Sequence, residues 1–286
     1  MGLEEKIDLR LSTEELPRIE DTLDNYTLKK LITLTTRGGV FLGQDNVLGR
    51  KVAIKVLSPN LDDERKKQFI EEGERLAKLD IKHPGVVGVY AAGEEKGYNY
   101  IVMEYLEGQT LKERLLKNNI KSRRAREMIA SITDSLSFCH EIGIYHGDIK
   151  PSNVIEKNDG GLVIIDFGSR LSLGEISRNV QEMEKIDIEG TYQTIKEILE
   201  SLAPNEKIPG GLEKIVHETG PDRKYKTVRE LDEALQQYKG ILRRKFLGIA
   251  GLVAASVCVC VGGYFYNQKP RTPEENRGSL QYIIDE

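Results

Sequence analysis

The apolar residues of this chain change period once, near residue 105, and that change limits the fold more than any other feature. From residue 26 to about 104 they come in short alternating runs, such as Val52-Ala53-Ile54-Lys55-Val56-Leu57 and Asn99-Tyr100-Ile101-Val102-Met103. That is the period-two signature of strands. One helical stretch interrupts them: residues 61–79 open with an Asp cap candidate and place Phe69, Glu72, Leu76 and Leu79 on one face. Beyond 105 the spacing is mostly helical, as over 123–140 and 187–202. Strands followed by helices imply an α+β chain, and 286 residues allow one large two-lobed domain or two ordinary ones, in either case with a substantial core. Three cysteines without a CxxC pair and four scattered histidines exclude a disulfide framework and a zinc cluster.

The ends differ from the middle. Residues 1–25 form an acidic segment of eight Asp/Glu and three Lys/Arg, so with a chain charge of −4 the remainder is near neutral. Nucleic acid is not an expected partner. The segment lacks the basic start and apolar stretch of an export signal, and Lys6 stands where a myristoylation motif needs Ser or Thr. Phe246–Tyr266 is a run of 21 residues without a charge, which at about 1.5 Å per residue spans roughly 30 Å of hydrocarbon. Arg243, Arg244 and Lys245 precede it and Tyr264, Phe265 and Tyr266 close it. A single transmembrane helix is therefore expected, with the preceding domain cytoplasmic and the polar tail, 267–286, on the opposite side. Gly251 and Ala255 form a small-xxx-small pair through which weak self-association is conceivable, while Cys258 and Cys260 count as small apolar groups. Lys112–Arg126 collects seven basic residues around one Glu and reads as a solvated face, with anionic lipid as the alternative contact.

The strand 52–57 places Val52, Ile54 and Val56 on one face and Ala53, Lys55 and Leu57 on the other. The Lys55 ammonium thus projects from an apolar strand and needs a partner. Glu72, lying within the apolar helix stripe rather than with Glu71 and Glu74, is the natural candidate. Further on, 145–153 reads YHGDIKPSN and 163–168 reads VIIDFG, an apolar run stopping at an acid. Asp148, Lys150, Asn153 and Asp166 supply an acid, a cation, an amide and a second acid. Phosphoryl transfer needs such a set, to orient a hydroxyl, neutralise phosphate charge and give oxygen ligands to Mg²⁺. Cys139 and His140 read as packing residues, and His146 as a shaper of the loop.

VAIK (52–55), HPGVVGVY (83–90), IVMEYLEG (101–108), HGDIKPSN (146–153) and IDFG (165–168) stand in an order that resembles a eukaryotic-type serine/threonine protein kinase from residue 26 to roughly 240. The resemblance implies a bilobal α+β fold with an N-lobe over 26–104 and a C-lobe over 105–240. ATP and Mg²⁺ are the implied cofactors and a protein hydroxyl the implied acceptor. Under it, Lys55 holds the α- and β-phosphates and Glu72 orients Lys55. Ile32, Gly38, Val40, Ala53 and Ile155 belong to the nucleotide site, Met103 guards the adenine pocket, and Glu104 to Leu106 form the hinge. Asp148 is then the catalytic base, Lys150 contacts the transferred phosphate, and Asn153 and Asp166 bind Mg²⁺. Asp187 matches the buried Asp of the family's large central helix.

Three departures limit this carry-over. Thr33 and Thr35 occupy the first two glycine positions of the phosphate loop, and a Cβ there restricts how closely backbone N–H groups approach phosphates. A weaker clamp is expected. Gly147 replaces the arginine that grips a phosphorylated activation loop, so that mode of switching is not expected. Only 20 residues separate Asp166 from Asp187, no APE motif lies between them, and 202–211 is brief, which reduces the protein-substrate groove. The pattern leaves open a nucleotide-binding pseudokinase scaffold and a compact kinase acting on a small molecule. Ser169, Ser172, Ser177, Thr191 and Thr194 are the available hydroxyls.

Overall fold

The computed structural model describes residues 15–35, 37–79, 82–167, 180–208, 210–220 and 223–238, with the side chains of 72, 75, 78 and 79 left out. The elements below lie in the first of two compact units, Met1–Gln236. Six antiparallel strands, β1 (Thr22–Leu23), β2 (Tyr26–Thr35), β3 (Gly38–Asp45), β4 (Arg50–Leu57), β5 (Val89–Glu95) and β6 (Tyr98–Glu104), form one sheet in the order β1-β2-β3-β4-β6-β5. The alternation on β4 holds: Val52, Ile54 and Val56 are buried in a cluster with Leu16, Leu23, Leu28, Phe41, Tyr100 and Val102. Leu16, from the segment leading into the sheet, and Leu23 of β1 close that cluster, and Tyr100 donates its hydroxyl hydrogen bond to Asp24 in the β1–β2 turn.

The opposite face carries Ala53, Lys55 and Ile101, and against it lies helix α1 (Asp63–Leu79). The Asp62 carboxylate caps α1 by accepting from the Arg65 N–H at 2.9 Å. The close approach needs Gly73, where an added Cβ would stand 2.7 Å from both Ala92 Cβ and Ile101 Cγ1.

After the hinge come β7 (Gly108–Thr110), α2 (Leu111–Leu115), α3 (Ser122–Glu141), a 3-10 turn at Pro151–Asn153, β8 (Val154–Lys157), β9 (Leu162–Ile164), α4 (Val180–Glu200) and α5 (Gly210–His217). A helical stretch over 228–238 follows. Strands β7, β8 and β9 make a second, small sheet in that order. The core of this half rests on α3, whose Met128, Ile129, Ile132 and Leu136 are fully buried.

Three expectations need correction. Helix α4 begins seven residues before Asp187, because Met183 continues its buried stripe one turn upstream. The basic run is not a uniformly solvated face: Arg114 and Arg124 turn inward to the buried Glu156 carboxylate, at 3.3 and 2.7 Å. Thr191 and Thr194 are fully buried, and Thr191 Oγ1 is bonded to the Asp187 carbonyl at 2.6 Å, so neither hydroxyl is open to modification. Among the described residues no helix is long and apolar enough to cross a membrane. The span expected at 246–266, with Gly251, Ala255, Cys258 and Cys260, lies outside the described residues, as do Ser169, Ser172 and Ser177.

Candidate active site

The loop from Tyr145 to Lys150 is held by one buried carboxylate. Asp187 of α4, fully buried, accepts from the His146 N–H at 2.8 Å, the Gly147 N–H at 2.6 Å and His140 Nε2 at 2.9 Å. Gly147 sits at φ +78°, a left-handed conformation that glycine adopts without the cost of a Cβ. His146 Nδ1 accepts from the Asp148 N–H at 3.1 Å, so Nε2 carries the proton and donates it to the Ile165 carbonyl at 2.9 Å. Burial pulls the His146 pKa below its ordinary value despite the nearby Asp187 carboxylate, keeping the ring neutral. The ring also packs on Phe167, centroids 4.8 Å apart. His146 is thus a shaper of the loop, as the sequence suggests. Next to His140, burial and then the Asp187 charge push the Cys139 thiol up to about 12, which leaves it unreactive.

Within that loop Lys150 Nζ lies 2.5 Å from Asp148 Oδ2, and Asn153 Nδ2 donates to the Asp148 carbonyl at 2.9 Å and to Oδ2 at 3.5 Å. Asn153 ends the 3-10 turn and Asp166 follows β9. The β8–β9 pairing continues past the strand end through the Ile165 N–H to the Asn153 carbonyl at 2.9 Å, which brings the two neighbourhoods together. Asp166 has φ +61°, uncommon for a residue with a Cβ and concentrated at functional sites.

Asp166 Oδ1 accepts from Lys55 Nζ at 2.9 Å. Burial alone would raise the Asp166 carboxyl, but the charge and hydrogen bond of Lys55, with Lys150 adding, hold it below the usual carboxylate range. Among the described side chains Lys55 thus has a partner in Asp166, 111 residues away in sequence. Glu72 lies on α1, with its side chain outside the described part. Periodicity within one strand and one helix carries no information about a carboxylate delivered by a distant hairpin.

Donor chemistry at Asn153 and Asp166 fits a hard cation. Asp166 offers carboxylate oxygen, and the engaged Asn153 amide nitrogen leaves its amide oxygen as the ligand. Among the described residues no cluster of three or more His, Cys, Asp or Glu could hold a metal. Two protein ligands suit Mg²⁺, which keeps waters and phosphate oxygens in its remaining positions.

Register places Val40 opposite Lys55, and Ala53 opposite Met103, which is 8% exposed. The Glu104 N–H is bonded to the Gly88 carbonyl at 2.8 Å at the start of the hinge, and Leu106 is half-buried beyond it. Ile155 stands in the small sheet opposite Val163, whereas Ile32 on β2 is 47% exposed. At the β2–β3 tip, Thr35 Oγ1 donates to the Gly38 carbonyl at 3.1 Å and accepts from the Arg37 N–H at 3.3 Å. The Ser58 N–H reaches the Arg37 carbonyl at 2.8 Å, and a Cβ on Gly38 would stand 2.0 Å from the Val56 carbonyl oxygen. Sequence reasoning misses that the Thr35 hydroxyl closes the turn.

This is the two-lobed architecture that the motif order implies. Residues 26–193 match the family model of the protein kinase domain, more than half of the chain, and the chain belongs to that family. It is 35% identical over 156 residues to the probable serine/threonine-protein kinase PknB of Lactococcus lactis, covering 54% of this chain and 25% of that protein. It is also 35% identical over 151 residues to the serine/threonine-protein kinase PrkC of Bacillus subtilis, covering 52% and 23%. The chain thus spans a quarter or less of the length of these two relatives. Among solved structures, the PknI kinase domain of Mycobacterium tuberculosis superposes with a TM-score of 0.61 at 22% identity, over 77% of this chain and 99% of that one, which shows the shared fold.

Proposed function

We propose that this chain is an ATP-dependent protein kinase acting on Ser/Thr hydroxyls, anchored in a membrane by the apolar run 246–266 with its kinase domain on the cytoplasmic side. The observation that carries the reading is the pairing of Lys55 with Asp166 across the two sheets, beside a loop that already joins Asp148, Lys150 and Asn153. Two relatives with serine/threonine-protein kinase in their names support it.

ATP would supply the phosphoryl group, and Asn153 and Asp166 would hold Mg²⁺, which would offset the negative charge on it. Lys55, beside Asp166 and with Glu72 of α1 to orient it, binds phosphate oxygens, while Met103 and the hinge at Glu104 seat the base. The Asp148 carboxylate accepts a hydrogen bond from the incoming hydroxyl and orients it, and Lys150 places its ammonium beside the developing charge. A scaffold reading is favoured by Thr33, Thr35 and the short segment between Asp166 and Asp187.

The test is phosphate incorporation into a basic acceptor protein from Mg-ATP by the full chain, beside Asp148→Asn. Incorporation by the wild type alone is expected. None by either, with ATP still raising the melting temperature, would favour the scaffold. For the anchor, the full chain should sediment with membranes after alkaline extraction, and residues 1–240 should not.

A further inference from the structure

Helix α4 buries Asp187, Thr191 and Thr194 at helical spacing, with the half-buried Gly190 beside them. Asp187 holds the catalytic loop from one point, through the N–H groups of His146 and Gly147. Thr191 takes no part, since its hydroxyl returns to the Asp187 carbonyl. Gly190 is the second point of approach: an added Cβ would lie 2.5 Å from Ile149 Cγ2 and 2.7 Å from the Ile149 carbonyl oxygen. Ile149 is 4% exposed and stands between Asp148 and Lys150. A side-chain methyl can rotate away from such a contact, but a carbonyl oxygen moves only with its peptide, here the one that joins Ile149 to Lys150, next in the chain after the Asp148–Ile149 peptide.

We infer that Gly190 is a positioning residue for the proposed transfer: its missing side chain sets how deeply the catalytic loop seats on α4, and so where the Asp148 carboxylate stands. The inference rests on the kinase reading for its consequence, not for its geometry. Glycine inside a helix is otherwise inferior to alanine, so Gly190→Ala in an ordinary helix would improve the protein. Here the loop must retreat by several tenths of an ångström, stretching the 2.6 Å and 2.8 Å bonds to Asp187. A misplacement of about 1 Å costs on the order of 10²-fold in rate.

The experiment compares wild type, Gly190→Ala and the exposed neighbouring control Glu189→Ala, all as full chains. Amide hydrogen exchange is read at His146 and Gly147, and kcat and the KM for ATP are measured. Gly190→Ala is expected to speed exchange at those two amides by about tenfold or more while the β4 and β6 amides stay protected, and to lower kcat by about ten- to hundredfold with the KM for ATP unchanged. Glu189→Ala should match the wild type. Wild-type exchange and kcat in Gly190→Ala would overturn the inference. If the wild type transfers no phosphate the kinase reading fails, and the exchange data still decide the seating. Should Gly190→Ala not fold, Gly190→Ala with Ile149→Ala is compared with Ile149→Ala alone: faster exchange in the pair supports the inference, and equal exchange overturns it.

Discussion

The catalytic loop and the tip of the β2–β3 hairpin are both short turns held by a few hydrogen bonds, and they differ in where those bonds end. The loop bonds converge on Asp187, which has no exposed surface, whereas the hairpin is closed by Thr35, an exposed residue. A bond broken at Asp187 leaves a donor or an acceptor stranded away from water, while one broken at Thr35 is replaced by solvent. The hairpin, for its part, keeps its ladder with Thr33 opposite Val40 and Thr35 opposite Gly38.

The largest expected effect breaks the buried side of the comparison. Asp187→Ala strands His140 and two backbone N–H groups and should cost about 3–5 kcal/mol in urea unfolding, with transfer lost. Lys55→Met comes next, lowering transfer on the order of 10³-fold. Its melting temperature should barely change, because Lys55 and Asp166 side chains are 30% and 31% exposed and such pairs contribute little to stability. A stability difference as large as that of Asp187→Ala would show instead that the pair belongs to the core.

Acid sharpens the comparison further. The folded pKa of His146 is lowered by burial, so the unfolded chain takes up the proton first. Stability present above the ordinary histidine value of about 6.5 is then lost as pH falls below it. Asp166 is depressed as well, by Lys55 against burial, so its contribution persists until pH falls below the ordinary carboxylate value of about 3.9. Urea unfolding across pH 7 to 5 should decline in the wild type and flatten in His146→Gln; equal slopes would remove His146 as the cause. The smallest effect is on the hairpin, where Thr35→Val should cost about 1 kcal/mol or less in the same assay.

How much of the site was legible follows the same division. Asp148, Lys150 and Asn153 lie within six residues, and a turn that short brings them together whatever surrounds it. Alternation sufficed to put Lys55 opposite the Val52, Ile54 and Val56 core face, because the strand period is a local property. A solvated basic run and open hydroxyls at Thr191 and Thr194 were reasonable on local grounds. The structure turns Arg114 and Arg124 to Glu156 and buries both threonines.

Sequence by itself therefore determined the α+β class, the order of the motifs, and the residues of the loop from His146 to Asn153. Only the tertiary structure decided that Asp166 comes to Lys55, that Asp187 holds the loop from His146 to Asn153, and that the loop rests where Gly190 has no side chain. The reason is one of range. Period, turn chemistry and capping act over a few residues and are written in the chain, whereas burial and charge pairing depend on which distant segments the whole core presses together.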